Sequence, residues 1–215
     1  AGIDIPVGLR LYSMAIEDLN GDGKLDIVGP TNGAVSVLLG RGDGSFAPRR
    51  DIPVTDGASS IAVADLNGDG RLDLAVDTST GFSVLLGVGD GTFTLGPQND
   101  FLNSDEGFAS MVVGDLNGDG KFDLAAAWSG SAFRDEYPGG ARTFLGNGDG
   151  TFREGGGIGG SNDGAPASVA IADVNWDGRP DLAAGWGHLA KVALGRGDGT
   201  FLSSTVAGYG ATDVA

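Results

Sequence analysis

The pattern DxNxDGxxD occurs four times along this 215-residue chain, and it restricts the fold more than any other feature. Each copy places three aspartates and one asparagine within nine residues. Carboxylates this close repel one another unless a cation lies among them, and a ligand set made only of oxygen atoms is the kind that Ca²⁺ selects. The copies begin at Asp18, Asp65, Asp115 and Asp173. The pattern therefore predicts a calcium-loaded repeat protein with about four ions, one per repeat.

The expected ligands of each ion follow from the spacing of the pattern. Side-chain oxygens come from positions 1, 3, 5 and 9, the backbone carbonyl of position 7 completes the set, and glycine at position 6 lets the chain reverse. Because only the carbonyl of position 7 would face the ion, the side chain there is not expected to matter. The predicted metal ligands, in chain order, are Asp18, Asn20, Asp22, Lys24, Asp26, Asp65, Asn67, Asp69, Arg71, Asp73, Asp115, Asn117, Asp119, Lys121, Asp123, Asp173, Asn175, Asp177, Arg179 and Asp181.

An EF-hand is excluded, because its loop needs a glutamate at position 12. Here position 12 is occupied by Gly29, Val76, Ala126 and Ala184. Metal-free Asx-turns are the simpler alternative, but turn chemistry gives no reason for oxygen-bearing residues at all four side-chain positions. The fourth loop departs most from the pattern, with Trp176 instead of glycine at position 4 and Pro180 at position 8.

The segments around these loops have the pattern of β-strands. Residues 60–64 alternate as a half-buried strand does, and an apolar run follows each loop. A second motif, GDGxF, recurs downstream, and Asp-Gly between apolar runs predicts a structural hairpin turn whose phenylalanine enters a core. These turns begin at Gly42, Gly89, Gly148 and Gly197.

The repeat length predicts the architecture. The loops start 47, 50 and 58 residues apart (65 − 18, 115 − 65, 173 − 115). A unit of inner strand, calcium loop, second strand, third strand such as residues 82–86, GDGxF turn and outer strand such as residues 51–54 is typical of a β-propeller blade. We therefore expect an all-β chain, a single propeller domain over residues 1–215 built of four-stranded antiparallel blades.

Two adjacent stretches, ADLNGDGRLDLAV and LLGVGDGTF, carry a family resemblance. They resemble the FG-GAP and VCBS repeats of integrin α-subunit propellers and their bacterial relatives, and fungal integrin-like lectins share the same architecture. The resemblance covers nearly the whole chain. It implies a calcium ion in the hairpin between the first two strands of each blade, held by the residues named above, and a ring that in this family typically has seven blades.

Four calcium units do not fill a ring of seven. Residues 3–7 repeat the text of the outer strand at 51–54, and residues 206–215 match the approach to a further calcium loop. We expect a fragment of a larger ring. The alternatives are a small ring closed by the N-terminal strand and a ring completed by a second copy of the chain, which would make a homo-oligomer.

Composition excludes several classes of function. The net charge is −16, from 13 basic and 29 acidic residues, with no basic stripe for nucleic acid and the wrong sign for anionic membranes. No apolar run reaches membrane-spanning length. The chain has no cysteine, so disulfides give no information about its location. A location outside the cell is inferred from calcium instead, because loops this open usually need it at millimolar concentration.

Catalysis finds little support in the sequence. The single histidine, His188, follows a strand and resembles a surface turn residue, and neither GxSxG nor HExxH occurs. The adjacent acids at 105–106 and 135–136 resemble solvated loop faces more than a glycosidase pair. We therefore do not expect an enzyme.

A ligand would be recognised on the side away from the calcium loops. Trp128 and Trp186 occupy equivalent places in the third and fourth repeats, and an insertion after the first of them contains Phe133 and Tyr137. Exposed aromatic rings stack on sugars and anchor interfaces, but the favoured interpretation of both tryptophans is that they fill space between blades.

The sequence therefore predicts a secreted or cell-surface β-propeller in which calcium is structural. It would serve as a binding or adhesion module for an extracellular protein or glycan. A carbohydrate-binding lectin is the alternative, and the non-catalytic propeller part of a larger secreted enzyme is the third interpretation.

Overall fold

The computed structural model describes residues 13–31, 33–54, 58–101, 107–130, 138–159, 166–187, 189–202 and 205–208. Every regular element within these ranges is a β-strand. None of the described residues forms a helix long and apolar enough to cross a bilayer. The expectation of an all-β chain is confirmed.

Within the described ranges, sixteen strands form four antiparallel sheets, each built from four consecutive strands in chain order. The sequence period explains this, because each repeat carries four apolar segments separated by turn residues. The first blade contains β1 (Ala15–Glu17), β2 (Asp26–Thr31), β3 (Ala34–Leu38) and β4 (Arg50–Pro53). The second contains β5 (Ile61–Ala64), β6 (Asp73–Thr78), β7 (Gly81–Gly87) and β8 (Phe93–Asp100). The third contains β9 (Phe108–Gly114), β10 (Asp123–Gly130), β11 (Pro138–Gly146) and β12 (Phe152–Ile158). The fourth contains β13 (Ser168–Ala172), β14 (Asp181–Trp186), β15 (Leu189–Ala193) and β16 (Thr205–Gly208).

The register of the first two strands places the acidic loops at one edge of each blade. In the second blade, β5 pairs with β6 from Ile61 opposite Val76 to Ala64 opposite Asp73, so the loop connects the two strands directly. The GDGxF turn joins the third and fourth strands, which places it at the same edge. One edge of the molecule therefore carries both recurring motifs.

The apolar core lies between blades and not within them. The first cluster joins the first two blades through Val28, Val35 and Leu74, among others. The second joins the next pair through an aromatic group that includes Phe82 and Phe144, whose ring centroids lie 5.4 Å apart. The third joins the last pair through alanines, leucine and tryptophan. Each sheet is thus buried against its neighbour in sequence, as propeller blades are.

The four blades do not close a ring within the described residues. No core cluster there joins the first blade to the fourth. Residues 3–7, which would close a small ring, lie outside the described residues. The alternatives of a larger ring and of a ring shared between two copies therefore stay predictions.

Polar bonds also connect neighbouring blades. The buried amide of Asn99, on β8, accepts a bond from Phe152 N at 3.1 Å and donates one to the Gly150 carbonyl at 3.3 Å. Gly156 N donates to Gly199 O at 3.0 Å across the next interface. A buried polar group needs a partner, so these bonds fix the stacking of one blade on the next.

Candidate metal centres

The four acidic loops share most of their internal hydrogen bonds. In the second loop, Asp65 Oδ1 accepts bonds from Gly68 N at 2.7 Å and Asp69 N at 3.0 Å, and its Oδ2 accepts one from Gly70 N at 2.8 Å. The bond from the position-6 glycine to the position-1 carboxylate occurs in every loop. These are Asx-type turns, which give the loop its shape and hold the position-1 side chain above it.

The position-9 aspartate has a different environment, because it is buried in every loop. In Asp73, Oδ2 accepts a bond from Leu66 N at 3.0 Å and Oδ1 accepts one from Gly87 N at 2.8 Å. The same pair of bonds is made by the aspartate at this position in the other three loops. This carboxylate therefore connects the start of the acidic loop to the end of the third strand.

Burial and crowding act together on the position-9 carboxylates of the second and third loops. Burial raises the pKa of Asp73 above its ordinary value, and repulsion from Asp69 and Asp65 adds a smaller upward contribution. The pKa of Asp123 is raised for the same reasons, with Asp119 and Asp115 as the neighbouring charges. The negative charges within one loop are thus close enough to oppose one another, which is the condition that a bound cation would relieve.

The donor set fits a hard divalent cation by its chemistry. Every side chain at positions 1, 3, 5 and 9 offers oxygen, the ligand atom that Ca²⁺ prefers. Among the described residues, no three acidic or histidine side chains are gathered at the spacing of a completed metal site. The hydrogen bonds above give the reason, since the carboxylate oxygens face backbone N–H groups of their own loop. A bound ion would compete with these N–H groups for the same oxygens.

The basic side chain at position 7 pairs with a carboxylate of its own loop in the first two blades, a contact that the sequence did not predict. Lys24 Nζ lies 3.0 Å from Asp22 Oδ2, and Arg71 Nη2 lies 3.4 Å from Asp69 Oδ2. Bonding to Lys24 is the largest of the effects that lower the pKa of Asp22. The aliphatic stem of the position-7 residue covers the first glycine of the GDGxF turn in all four blades.

The fourth loop contains a strained residue at the position where the sequence departs from the pattern. Trp176 has a φ of 62°, while the other loops have glycine there with φ between 71° and 77°. It is the one non-glycine residue with positive φ in the described part of the chain. Its side chain is 90% exposed. The loop therefore keeps its backbone shape, although this places Trp176 in the left-handed backbone conformation, which is unfavourable for a tryptophan.

The GDGxF motifs are structural turns, as predicted. Asp43 Oδ1 accepts bonds from both the hydroxyl and the backbone N–H of Ser45. These two donors, the hydroxyl first, lower the pKa of Asp43, and threonine does the same in the other three turns. Of the turn phenylalanines, Phe152 is buried in a core cluster, and Phe93 and Phe201 pack against the others.

The tryptophans of the predicted ligand patch are not exposed. Trp128 is 6% exposed and Trp186 is 2% exposed, each within a core cluster between blades. The guanidinium of Arg142 lies 3.8 Å from the centre of the Trp128 ring, and Lys191 Nζ lies 4.9 Å from that of Trp186. Both indoles therefore fill space between blades, which the sequence favoured over an exposed ligand patch. Phe133 and Tyr137, like His188 and the acid pairs at 105–106 and 135–136, lie outside the described residues.

One buried carboxylate was not anticipated. Asp77, on β6, is 5% exposed, and its Oδ1 accepts bonds from Ser59 N at 2.6 Å and Ser60 N at 2.8 Å. The Ser59 hydroxyl lies 2.9 Å from Asp77 Oδ2 and 3.2 Å from the Phe108 carbonyl of the third blade. The alternation of β6 alone could have shown that Asp77 points inward, but not that two serines would meet it.

Comparison with known proteins gives a family match and a shared fold. The model of the FG-GAP-like repeat matches residues 18–76, 74–126 and 131–184. Among solved structures, an Agrocybe aegerita lectin that recognises non-reducing terminal N-acetylglucosamine is 24% identical, with a TM-score of 0.59 over 90% of this chain and 51% of that one. BBS1N, solved in complex with ARL6DN, is 16% identical, with a TM-score of 0.60 over 95% of this chain and 59% of that one.

These structural similarities show the fold alone. The chain spans about half to three fifths of the length of the two solved structures. No curated protein matches it.

Proposed function

Since this chain belongs to the FG-GAP-like repeat family, we propose that it is an extracellular binding or adhesion module in which calcium stabilises the edge of each propeller blade. The role would not be catalytic, because 16 of the 29 acidic residues belong to the acidic loops and the GDGxF turns. The partner would be an extracellular protein or glycan. Loops of this openness usually need the millimolar calcium found outside cells, which supports that location.

The observation that carries the calcium proposal is the charge arrangement in each loop. A buried carboxylate such as Asp73 is opposed by the carboxylates of Asp65 and Asp69 in the same loop. The oxygens of positions 1, 3, 5 and 9 and the carbonyl of position 7 would hold the ion. It would supply positive charge where the chain has concentrated negative charge, so its role is structural.

Calcium would also reduce the overall charge. Four ions bring eight positive charges, so a net charge of −16 becomes about −8, which is ordinary for a soluble domain. The metal-free chain would be strongly acidic at a single edge.

Thermal unfolding with and without calcium tests the proposal. A ligand that binds only the folded state at 100 times its Kd stabilises it by about 2.7 kcal/mol per site, so we expect a clearly higher Tm in millimolar calcium than in excess chelator. Magnesium at equal concentration should do less, because it loses its water reluctantly.

Two matched variants make the test specific for the loops. Asp177→Asn changes a predicted ligand in the fourth loop and should shrink the calcium-dependent rise in Tm. Asp198→Asn changes the aspartate of the GDGxF turn in the same blade and should leave that rise unchanged. The proposal is contradicted if calcium and chelator give the same Tm for the unmodified chain.

Glycan binding is the alternative function, and it now depends on a different residue. Trp176 is exposed on a strained loop, whereas Trp128 and Trp186 are buried. An exposed indole ring is a stacking surface for sugars. A glycan array on which Trp176→Gly loses a signal given by the unmodified chain would favour this alternative.

A further inference from the structure

The position-7 side chains differ from loop to loop in what their charged ends contact. In the first two loops the position-7 side chain forms an ion pair with the position-5 carboxylate of the same loop. Lys24 lies 3.0 Å from Asp22, and Arg71 lies 3.4 Å from Asp69. Arg71 is also held by the Val88 carbonyl, at 3.1 Å from its Nη1. A predicted metal ligand in each of these loops is thus already paired with an internal cation.

The third and fourth loops lack this pair. Among the described residues, neither Lys121 nor Arg179 forms an ion pair with the aspartate at position 5 of its loop. Their stems nevertheless take the same course as in the other loops: the Cβ position of Gly148 is 3.1 Å from Lys121 Cδ, just as that of Gly42 is 3.1 Å from Lys24 Cδ. The two lysines therefore share residue type, loop position and stem packing, and differ in the contact of the ammonium group.

An internal cation on a ligand oxygen opposes the binding of a second cation there. For calcium to use the Asp22 carboxylate, the ammonium of Lys24 must leave it or accept a positive neighbour at short range. An exposed ion pair contributes little to stability, so the expected penalty is a few-fold in affinity and not a loss of binding.

We propose that Lys24 and Arg71 are internal counter-ions that weaken calcium binding in the first two loops relative to the last two. The inference rests on the calcium binding proposed above. It makes position 7 a determinant of affinity through its side chain, in addition to the ligand role of its carbonyl. As calcium rises, the third and fourth loops fill before the first and second.

Calcium titration followed by amide NMR spectra of isotope-labelled protein resolves the loops individually. The position-6 glycine is the probe, because its N–H donates to the position-1 carboxylate: Gly23 to Asp18 at 2.7 Å and Gly120 to Asp115 at 2.9 Å. The amide signal should move when that carboxylate binds calcium. In the unmodified chain we expect the Gly120 signal to reach its midpoint at lower calcium than the Gly23 signal.

Lys24→Met and Lys121→Met form the matched pair of variants. Methionine keeps an unbranched stem over the turn glycine and removes only the charge. Lys24→Met should lower the calcium midpoint at Gly23 by about two- to five-fold at low salt, whereas Lys121→Met should change the midpoint at Gly120 by less than about two-fold. Lys24→Arg keeps the charge and should leave the midpoint at Gly23 unchanged. The effect of Lys24→Met should fade at about 1 M NaCl, because salt screens an exposed pair.

The outcomes separate this inference from the proposed function. If both methionine variants change their loops equally, or if neither does, the counter-ion role is overturned while calcium binding stands. If neither glycine signal responds to calcium up to about 10 mM, binding itself is refuted, and the counter-ion inference falls with it.

Discussion

At the scale of single residues, Asp77 shows how a buried charge is accommodated away from the acidic loops. Burial raises its pKa above the ordinary aspartate value, against the opposing effect of the bonds from Ser60 and Ser59. The Ser59 hydroxyl carries one hydrogen but faces two acceptors, Asp77 Oδ2 and the Phe108 carbonyl. The hydroxyl can therefore donate to only one of these two acceptors at a time, and the site keeps a charge out of water.

We expect Asp77→Asn to stabilise the protein at neutral pH. The asparagine oxygen can accept both serine N–H bonds, its amide can donate to Ser59 Oγ, and the Ser59 hydroxyl is then free to donate to Phe108. A raised pKa in the folded state means that the aspartate contributes stability below its ordinary value, which is lost as pH rises through the raised value. The advantage of the variant should therefore grow with rising pH, measured as Tm in chelator at about pH 4 and about pH 7.

Asp77→Ala is the control for Asp77→Asn. It leaves two buried N–H groups without an acceptor, and it should cost about 2–3 kcal/mol at both pH values. A neutral-pH Tm for Asp77→Asn below that of the unmodified chain would contradict the argument.

The sequence predicted residue properties correctly where they depend on local backbone conformation. It failed where they depend on packing against another blade. The glycines at position 6 have positive φ, as the turn requires, and the departure at Trp176 proved to be a strained backbone. Trp128 remained a candidate for an exposed ligand patch, because the sequence does not show which blade will cover a given strand end. The contacts of position 7 were missed because they depend on the GDGxF turn, which lies 18 residues further along the chain in three blades and 27 (148 − 121) in the third.

At the scale of strands and turns, the sequence predicted the elements with small errors at their ends. The third strand of the second blade was expected at residues 82–86 and is Gly81–Gly87, and the outer strand expected at 51–54 is Arg50–Pro53. Alternation and turn residues determine these elements locally. The sequence does not reveal that the second glycine of a GDGxF turn is also a contact between blades. Gly199 packs against Leu145 of the preceding blade.

Gly199→Ala should destabilise the protein more than Gly33→Ala does. Both glycines have a φ near +80°, so alanine costs about 1–2 kcal/mol of backbone strain at either site. A Cβ on Gly199 would lie 2.5 Å from Leu145 Cδ1, whereas a Cβ on Gly33 meets nothing within 4 Å. Overpacking should add about 1–3 kcal/mol at Gly199 alone, measured by urea unfolding. If the two variants lose equal free energy of unfolding, the interface between blades accommodates the extra methyl group without destabilisation, and the argument is contradicted.

At the scale of the whole molecule, charge is concentrated at one edge. Twelve acidic residues belong to the four acidic loops and four to the GDGxF turns, so 12 + 4 = 16 of the 29 acidic residues lie there. The composition gave the net charge. Its placement on one edge follows from the topology, because both motifs connect strands at the same end of each blade. The number of blades in a closed ring could not be predicted, because the strand pattern within a repeat does not determine how many repeats close a ring.

Salt should therefore stabilise the metal-free chain. Raising NaCl from about 20 mM to about 200 mM shortens the range of repulsion between loops on the same edge, so Tm in chelator should rise with salt. Millimolar calcium should raise Tm at an ionic strength too low for screening to act. A Tm in chelator that stays level or falls as salt increases would show that repulsion at this edge does not limit stability.

The placement of every apolar cluster between two sheets has a consequence for how the chain can unfold. No sheet has an apolar core of its own, so each is stabilised by the sheet beside it. The stability of the chain then depends on the interfaces between neighbouring sheets, as it does in repeat proteins. Among the described residues, the middle two sheets pack against a neighbour on both sides and the outer two on one side. The first and fourth sheets should accordingly unfold before the second and third.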